Sequence, residues 1–150
     1  MEATPTQVLI WEKMDVICQK DPAALDFYKG LCDTVLTWDH IIDSDTPWED
    51  EKEMANRTFH FLLIDAPFNT FFNAHKESMV PVIMNAISAW HFSNEDGAPK
   101  IKAFDIYTEV ACTIALILEG RLAVEEHIPE LRRLQWQNCQ EDDLVDGGKK

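Results

Sequence analysis

The chain has 150 residues, 46% of them hydrophobic, with 27 acidic against 13 basic side chains and a net charge of −14. That length and apolar content suit one globular domain with a real core and exclude a wholly disordered chain. The negative field repels phosphate backbones, which disfavours direct nucleic-acid binding, and no apolar run approaches the roughly 20 residues that span a bilayer.

Turn and cap signals predict an all-α fold, a single-domain bundle of about seven helices. The first helix is expected from Pro5 to Lys20, although Val8-Leu9-Ile10-Trp11 could also pass for a strand. Asp21 followed by Pro22 is a strong helix start, an N-cap and a first-turn proline. From there Ala24, Tyr28, Leu31, Val35, Trp38 and Ile42 recur at steps of three and four, predicting one buried stripe. Thr46-Pro47-Trp48-Glu49 opens a third helix through a capping box, with its end expected near Asp65-Ala66-Pro67.

A short aromatic element, Phe68 to His75, is expected next, then a helix from Met79 to Phe92 with Ser78 as its cap. Asn94, Asp96, Gly97 and Pro99 mark a loop. The helix expected over 100–119 contains Val110 to Leu118, apolar all round, and reads as a central buried helix stopped at Gly120. A final pair is expected from Arg121 to Gln137, broken at Pro129. The domain is thus expected over 1–137. Residues 138–150, acidic and without apolar periodicity, are expected to form a disordered tail.

The N-terminus has no basic segment followed by an apolar one, so no secretory leader is expected. Cys18, Cys32, Cys112 and Cys139 form no C-x-x-C pair and read as reduced thiols, which points to a cytoplasmic protein. No nucleophile elbow, phosphate loop or dinucleotide fingerprint occurs, and no histidine has a metal-ligand spacing.

Carboxylates beside apolar stripes are the most informative feature. On a wheel of about 100° per residue, Asp39 falls inside the Tyr28–Val35–Ile42 stripe and Asp43 at its edge. Asp105 and Glu109, four apart, share a face with Cys112 and Leu116. Acids projecting inward from two helices can hold Mg²⁺ or Mn²⁺, so Asp39, Asp43, Asp105 and Glu109 form a candidate metal set. The competing reading is structural: Asp39 caps, pairs with Arg57, Arg121, Arg132 or Arg133, or bonds a Trp indole. An Asp39 buried in such a pair should cost about 3–5 kcal/mol when truncated to alanine.

Trp38-Asp39-His40-Ile41-Ile42-Asp43-Ser44-Asp45, then Ile64-Asp65-Ala66-Pro67-Phe68-Asn69, then Asn85-Ala86-Ile87-Ser88-Ala89-Trp90-His91, resembles a family of small uncharacterised proteins from tailed bacteriophages. The family pattern is W-D-D-x-I-D-x-D, a proline–aromatic turn and N-A-I-x-x-W-H, covering about residues 22 to 135. His40 stands where the pattern has its second aspartate, which weakens a three-carboxylate metal site. The resemblance implies a source more than a chemistry.

Three functions follow as expectations. The first is an acidic phage accessory protein, acting in the host cytoplasm by binding a host protein with a basic surface, without catalysis or cofactor. The second is a metal-dependent enzyme acting on a phosphorylated or diphosphate substrate through the four carboxylates. The third is a homo-oligomeric assembly protein, joined through exposed aromatics such as Phe68, Phe71 and Phe72.

Overall fold

The computed structural model describes residues 4–43, 48–93, 95 and 106–147, and the backbone alone at 42, 43, 48–51, 93 and 139–147. Those residues are all-helical, without a strand. The helices are α1 (Pro5–Ile17), α2 (Pro22–Asp43), α3 (Trp48–His60), the single turn α4 (Ala66–Phe68), α5 (Thr70–Ser93), α6 (Ile106–Glu119) and α7 (Arg121–Gly147). A π-helical turn, Phe61–Asp65, joins α3 to α4. Among the described residues, six helices exceed one turn, slightly fewer than the seven expected.

The chain divides into two compact units, Met1–Lys20 with Glu77–Lys150, and Asp21–Lys76. In the first, α1, α6 and α7 pack on one another. Val8 to Trp11 is helical because Thr4 starts α1 with a full capping box. Its hydroxyl accepts from Gln7 N–H at 3.1 Å, and the Gln7 amide oxygen accepts from Thr4 N–H at 2.9 Å. Two of the four orphan donors of the helix start are thereby satisfied. Ile10, Met14 and Ile17 line the buried face of α1.

On α6 the buried residues are Ile106, Thr108, Val110, Ala111, Ile114 and Ala115, an arc of roughly 200°. Gly120, at φ +89°, ends the helix and donates to the carbonyls of Ala115 and Leu116. The break expected at Pro129 does not occur: α7 passes through it. The missing N–H is tolerated there, and Ile128 and Leu131 on either side are buried. The boundary expected after Gln137 falls inside α7, and Thr4 Oγ1 donates to Asn138 Oδ1 at 3.1 Å.

The second unit is built on α2. Asp21 caps it as expected, accepting from Ala23 N–H at 3.1 Å. Its stripe is buried at Ala24, Phe27 and Tyr28, but burial fades along the helix. Leu31 and Val35 are half-buried, and Trp38 is 51% exposed. One continuous buried stripe is therefore a correct reading for the first two turns only.

The aromatic element and the following helix are separate segments, as expected, that meet at a kink. They form α5, bent where His75 leaves helical geometry at φ −126°, ψ 15°. The cap of α5 is Asn69, not Ser78. The Asn69 side-chain oxygen accepts from Phe72 N–H at 2.9 Å, and its amide donates to the Ala23 carbonyl at 2.9 Å. One side chain thus starts α5 and ties it to the first turn of α2. Thr46, Pro47 and residues 96–105, which carry the expected third cap, most of the loop and the start of the sixth helix, lie outside the described residues.

Candidate functional site

The sequence places Pro67 where α3 would otherwise continue. A proline has no N–H to donate, and its ring collides with the carbonyl four residues back. The chain answers with the π-helical turn, in which Ala66 N–H donates to the Phe61 carbonyl five residues back. Such insertions are rare and recur at functional sites.

The wider turn changes which side chains meet. Residues five apart would sit about 140° apart on an α-helix. Here His60 Nδ1 and Asp65 Oδ2 come within 3.1 Å. Phe61 turns inward and is buried against α2, where its ring occupies the space a side chain on residue 30 would need. Gly30 is therefore required by close approach rather than by backbone angle. Phe27 continues the cluster, 5.9 Å from the Phe61 ring and stacked on Phe72 at 4.8 Å.

Apolar side chains in and beside this turn reach solvent. Phe59, Leu62, Leu63, Ile64 and Phe68 are all exposed, Leu63 at 68% and Phe68 at 79%. Five large apolar groups are thus exposed within ten positions, a denser run than the scattered apolar residues any surface carries.

Two clefts flank Phe61. The smaller, about 170 Å³, is lined by Asp33, Thr34, Thr37, Arg57, His60 and Asp65 among others. Its threonines are already committed: Thr34, Thr37 and Thr58 donate to the carbonyls of Gly30, Asp33 and Met54 at 2.9, 2.8 and 3.0 Å. Arg57 lies 3.8 Å from both Asp33 and Glu53, exposed pairs of little energetic weight. His60 and Asp65 are themselves exposed. The geometry provides an oriented imidazole without an activated hydroxyl beside it. The larger cleft, about 610 Å³, has Phe27, Phe61, Ile64 and Phe68 as apolar walls, with Asp26 and Asp65 bringing carboxylates. That size and lining suit a bound side chain or small ligand.

The carboxylates singled out in the sequence sit elsewhere. Asp39 is half-buried and engaged in an interaction, less deeply placed than the wheel predicts because the α2 stripe opens toward solvent around it. Glu109 is half-buried on the arc of α6 shared with Leu116, which is 54% exposed, so that arc faces away from the core. Glu109 lies 3.7 Å from Arg132, an arginine that the sequence offered to Asp39 rather than to Glu109. Burial, then the Glu109 charge, push the neighbouring Cys112 thiol above its ordinary pKa, with Arg132 acting in the opposite sense. The side chains of Asp43 and Asp105 lie outside the described residues. Among the described residues, no three His, Cys, Asp or Glu side chains are grouped so as to hold a metal ion. Of the aromatics expected to be exposed, Phe68 is, Phe72 is half-buried, and Phe71 is buried at 1%, packed on His75. No described helix is long and apolar enough to cross a membrane.

The exposed run at the π turn had a signal in the sequence: Leu62-Leu63-Ile64, an apolar run between a charged helix and Ala66-Pro67. No protein-family model matches the chain, and no curated protein or solved structure matches it.

Proposed function

We propose that this protein acts by binding another protein, through the unit Asp21–Lys76, and not by catalysis. The observation that carries this reading is the exposed run Phe59, Leu62, Leu63, Ile64 and Phe68 beside an apolar cleft. Exposed apolar surface of this kind is costly in water and is retained where a partner covers it. The unit that carries it holds eleven acidic side chains against four basic ones. A partner with a basic surface is favoured by that field. The resemblance to small phage proteins supports a viral accessory role, with a host protein in the cytoplasm as the partner.

Site-specific photo-crosslinking tests this. A photoreactive residue at Phe59 or Leu63 should give a discrete heterologous adduct in cells, whereas one at the exposed Leu122 of the other unit should not. Adducts of the chain with itself would favour the homo-oligomeric reading. Melting curves with EDTA, Mg²⁺ and Mn²⁺ should superimpose, since a ligand that binds only the folded state raises its stability. A metal-dependent shift lost in Asp39→Ala would restore the carboxylate enzyme.

A further inference from the structure

We infer that the larger cleft is the seat of a basic amphipathic helix, one of whose large apolar side chains enters between Ile64 and Phe68 while lysines or arginines a turn away meet Asp26 and Asp65. The inference rests on the protein-binding reading above and names the partner's chemistry.

The cleft has a closed floor and open walls. Phe27 and Phe61 are buried beneath it, while Ile64 and Phe68 stand exposed at its side. The floor is held in place: Phe61 packs on Gly30, Phe27 stacks on Phe72, and Asn69 bridges α5 to the Ala23 carbonyl. A preformed floor lowers the ordering cost of binding. At about 610 Å³ the cleft holds one or two large side chains rather than a domain surface. Presenting single anchors to a groove, flanked by residues three and four away, is what an amphipathic helix does.

Charge decides among occupants. Asp26, from α2, and Asp65, from the π turn and itself 3.1 Å from His60 Nδ1, line the cleft against a single lysine, Lys29. A second copy of the chain would bring its own excess of carboxylates to this face, and its net charge of −14 opposes self-association. An anionic membrane is repelled by the same field. A cationic helix gains from both the apolar walls and the carboxylates.

The test uses the full chain and a fluorescein-labelled model helix of leucine and lysine, patterned to be amphipathic. Controls are a scrambled peptide of the same composition and a version with glutamate for lysine. Fluorescence anisotropy should show binding of the patterned cationic peptide alone. Phe68→Asp should weaken it about tenfold or more, as loss of a central anchor does. Asp26→Lys should weaken it several-fold and flatten its salt dependence. Leu122→Asp, on the other unit, should leave it unchanged. Circular dichroism melts establish that each variant is folded.

Equal binding of the scrambled peptide, or indifference to both Phe68→Asp and Asp26→Lys, would overturn the proposal. So would depletion of the chain by phosphatidylcholine vesicles in a Phe68-dependent way, or concentration-dependent dimerisation abolished by Phe68→Asp. If crosslinks at Phe59 and Leu63 still capture a partner while the model helix does not bind, the helical assignment falls and the binding reading stands. If those crosslinks fail as well, both fall.

Discussion

The two units place their apolar side chains differently. In the unit of α1, α6, α7 and the later part of α5, the large apolar groups that reach solvent are dispersed: Val8, Leu9 and Val16 on α1, Val80, Met84 and Phe92 on α5, Leu116 on α6, Leu122 and Trp136 on α7. Each lies on the outer side of a helix whose opposite side is buried, by Met14, Met79, Val110 or Leu131 among others. The unit Asp21–Lys76 holds six of the eight phenylalanines, yet concentrates its exposed ones near a single π turn. Amphipathic helices separate their faces by periodicity, and a π insertion breaks that periodicity. The exposed apolar run accompanies the π turn that precedes Pro67, whereas α7 of the first unit passes through Pro129 without such a turn.

The comparison breaks first under truncation of the first unit's core. Met14 is completely buried in α1. Met14→Ala should cost about 2–5 kcal/mol, as core truncations that leave a cavity do. Leu122→Ala, at a site 70% exposed, should stay within about 0.5 kcal/mol. Chemical denaturation of the two variants checks the contrast.

A smaller but more diagnostic effect is expected at Gly30. Alanine raises helix propensity by about 1 kcal/mol. Its methyl group, however, overlaps the Phe61 ring, and overpacking of this kind costs about 1–3 kcal/mol. Gly30→Ala should thus be net destabilising in the wild-type chain. In a Phe61→Leu background the overlap is relieved, and the same change should become neutral or stabilising. A double-mutant cycle reads the reversal directly, and additivity of the two changes would show that Gly30 and Phe61 do not meet.

The helix starts at Pro5 and Pro22 and the stop at Gly120 were legible because caps and glycine stops are local: the residues that satisfy the orphan groups lie within a turn of them. The depth of Asp39 and Glu109 was not legible. A wheel reports which side of a helix is apolar, not whether a neighbour covers it, and both residues lie where cover is incomplete. The π turn was legible only as an anomaly, an apolar run ending at Ala66-Pro67. The pairing of His60 with Asp65 follows from a helix period that sequence patterning does not include.

Cys112 extends the contrast to chemistry. With its thiol pushed upward by burial and by Glu109, it should alkylate with iodoacetamide at pH 8 more slowly than a free thiol. Glu109→Gln removes the second cause and leaves the first, so the rate should rise without reaching that of an exposed cysteine. Mass spectrometry of the Cys112 peptide follows it. An unchanged rate would show that burial alone governs the thiol.

The smallest expected effect concerns the first unit's surface. Lys13 Nζ lies 2.6 Å from Glu130 Oε2, joining α1 to α7. The hydrogen bond from Lys13, then its charge, hold the Glu130 carboxyl below its ordinary 4.5. A carboxyl whose folded value is depressed favours the folded state above its ordinary value. That contribution disappears as pH falls through the lowered folded value. Glu130→Gln should therefore narrow the melting-temperature difference between neutral pH and about pH 3, and only slightly, because water and salt screen an exposed pair. The gap between wild type and variant should be widest at neutral pH and low salt, and should close in about 1 M salt, where screening acts within about 3 Å. A gap that persists in strong acid would mean that Glu130 joins α1 to α7 by packing rather than by charge.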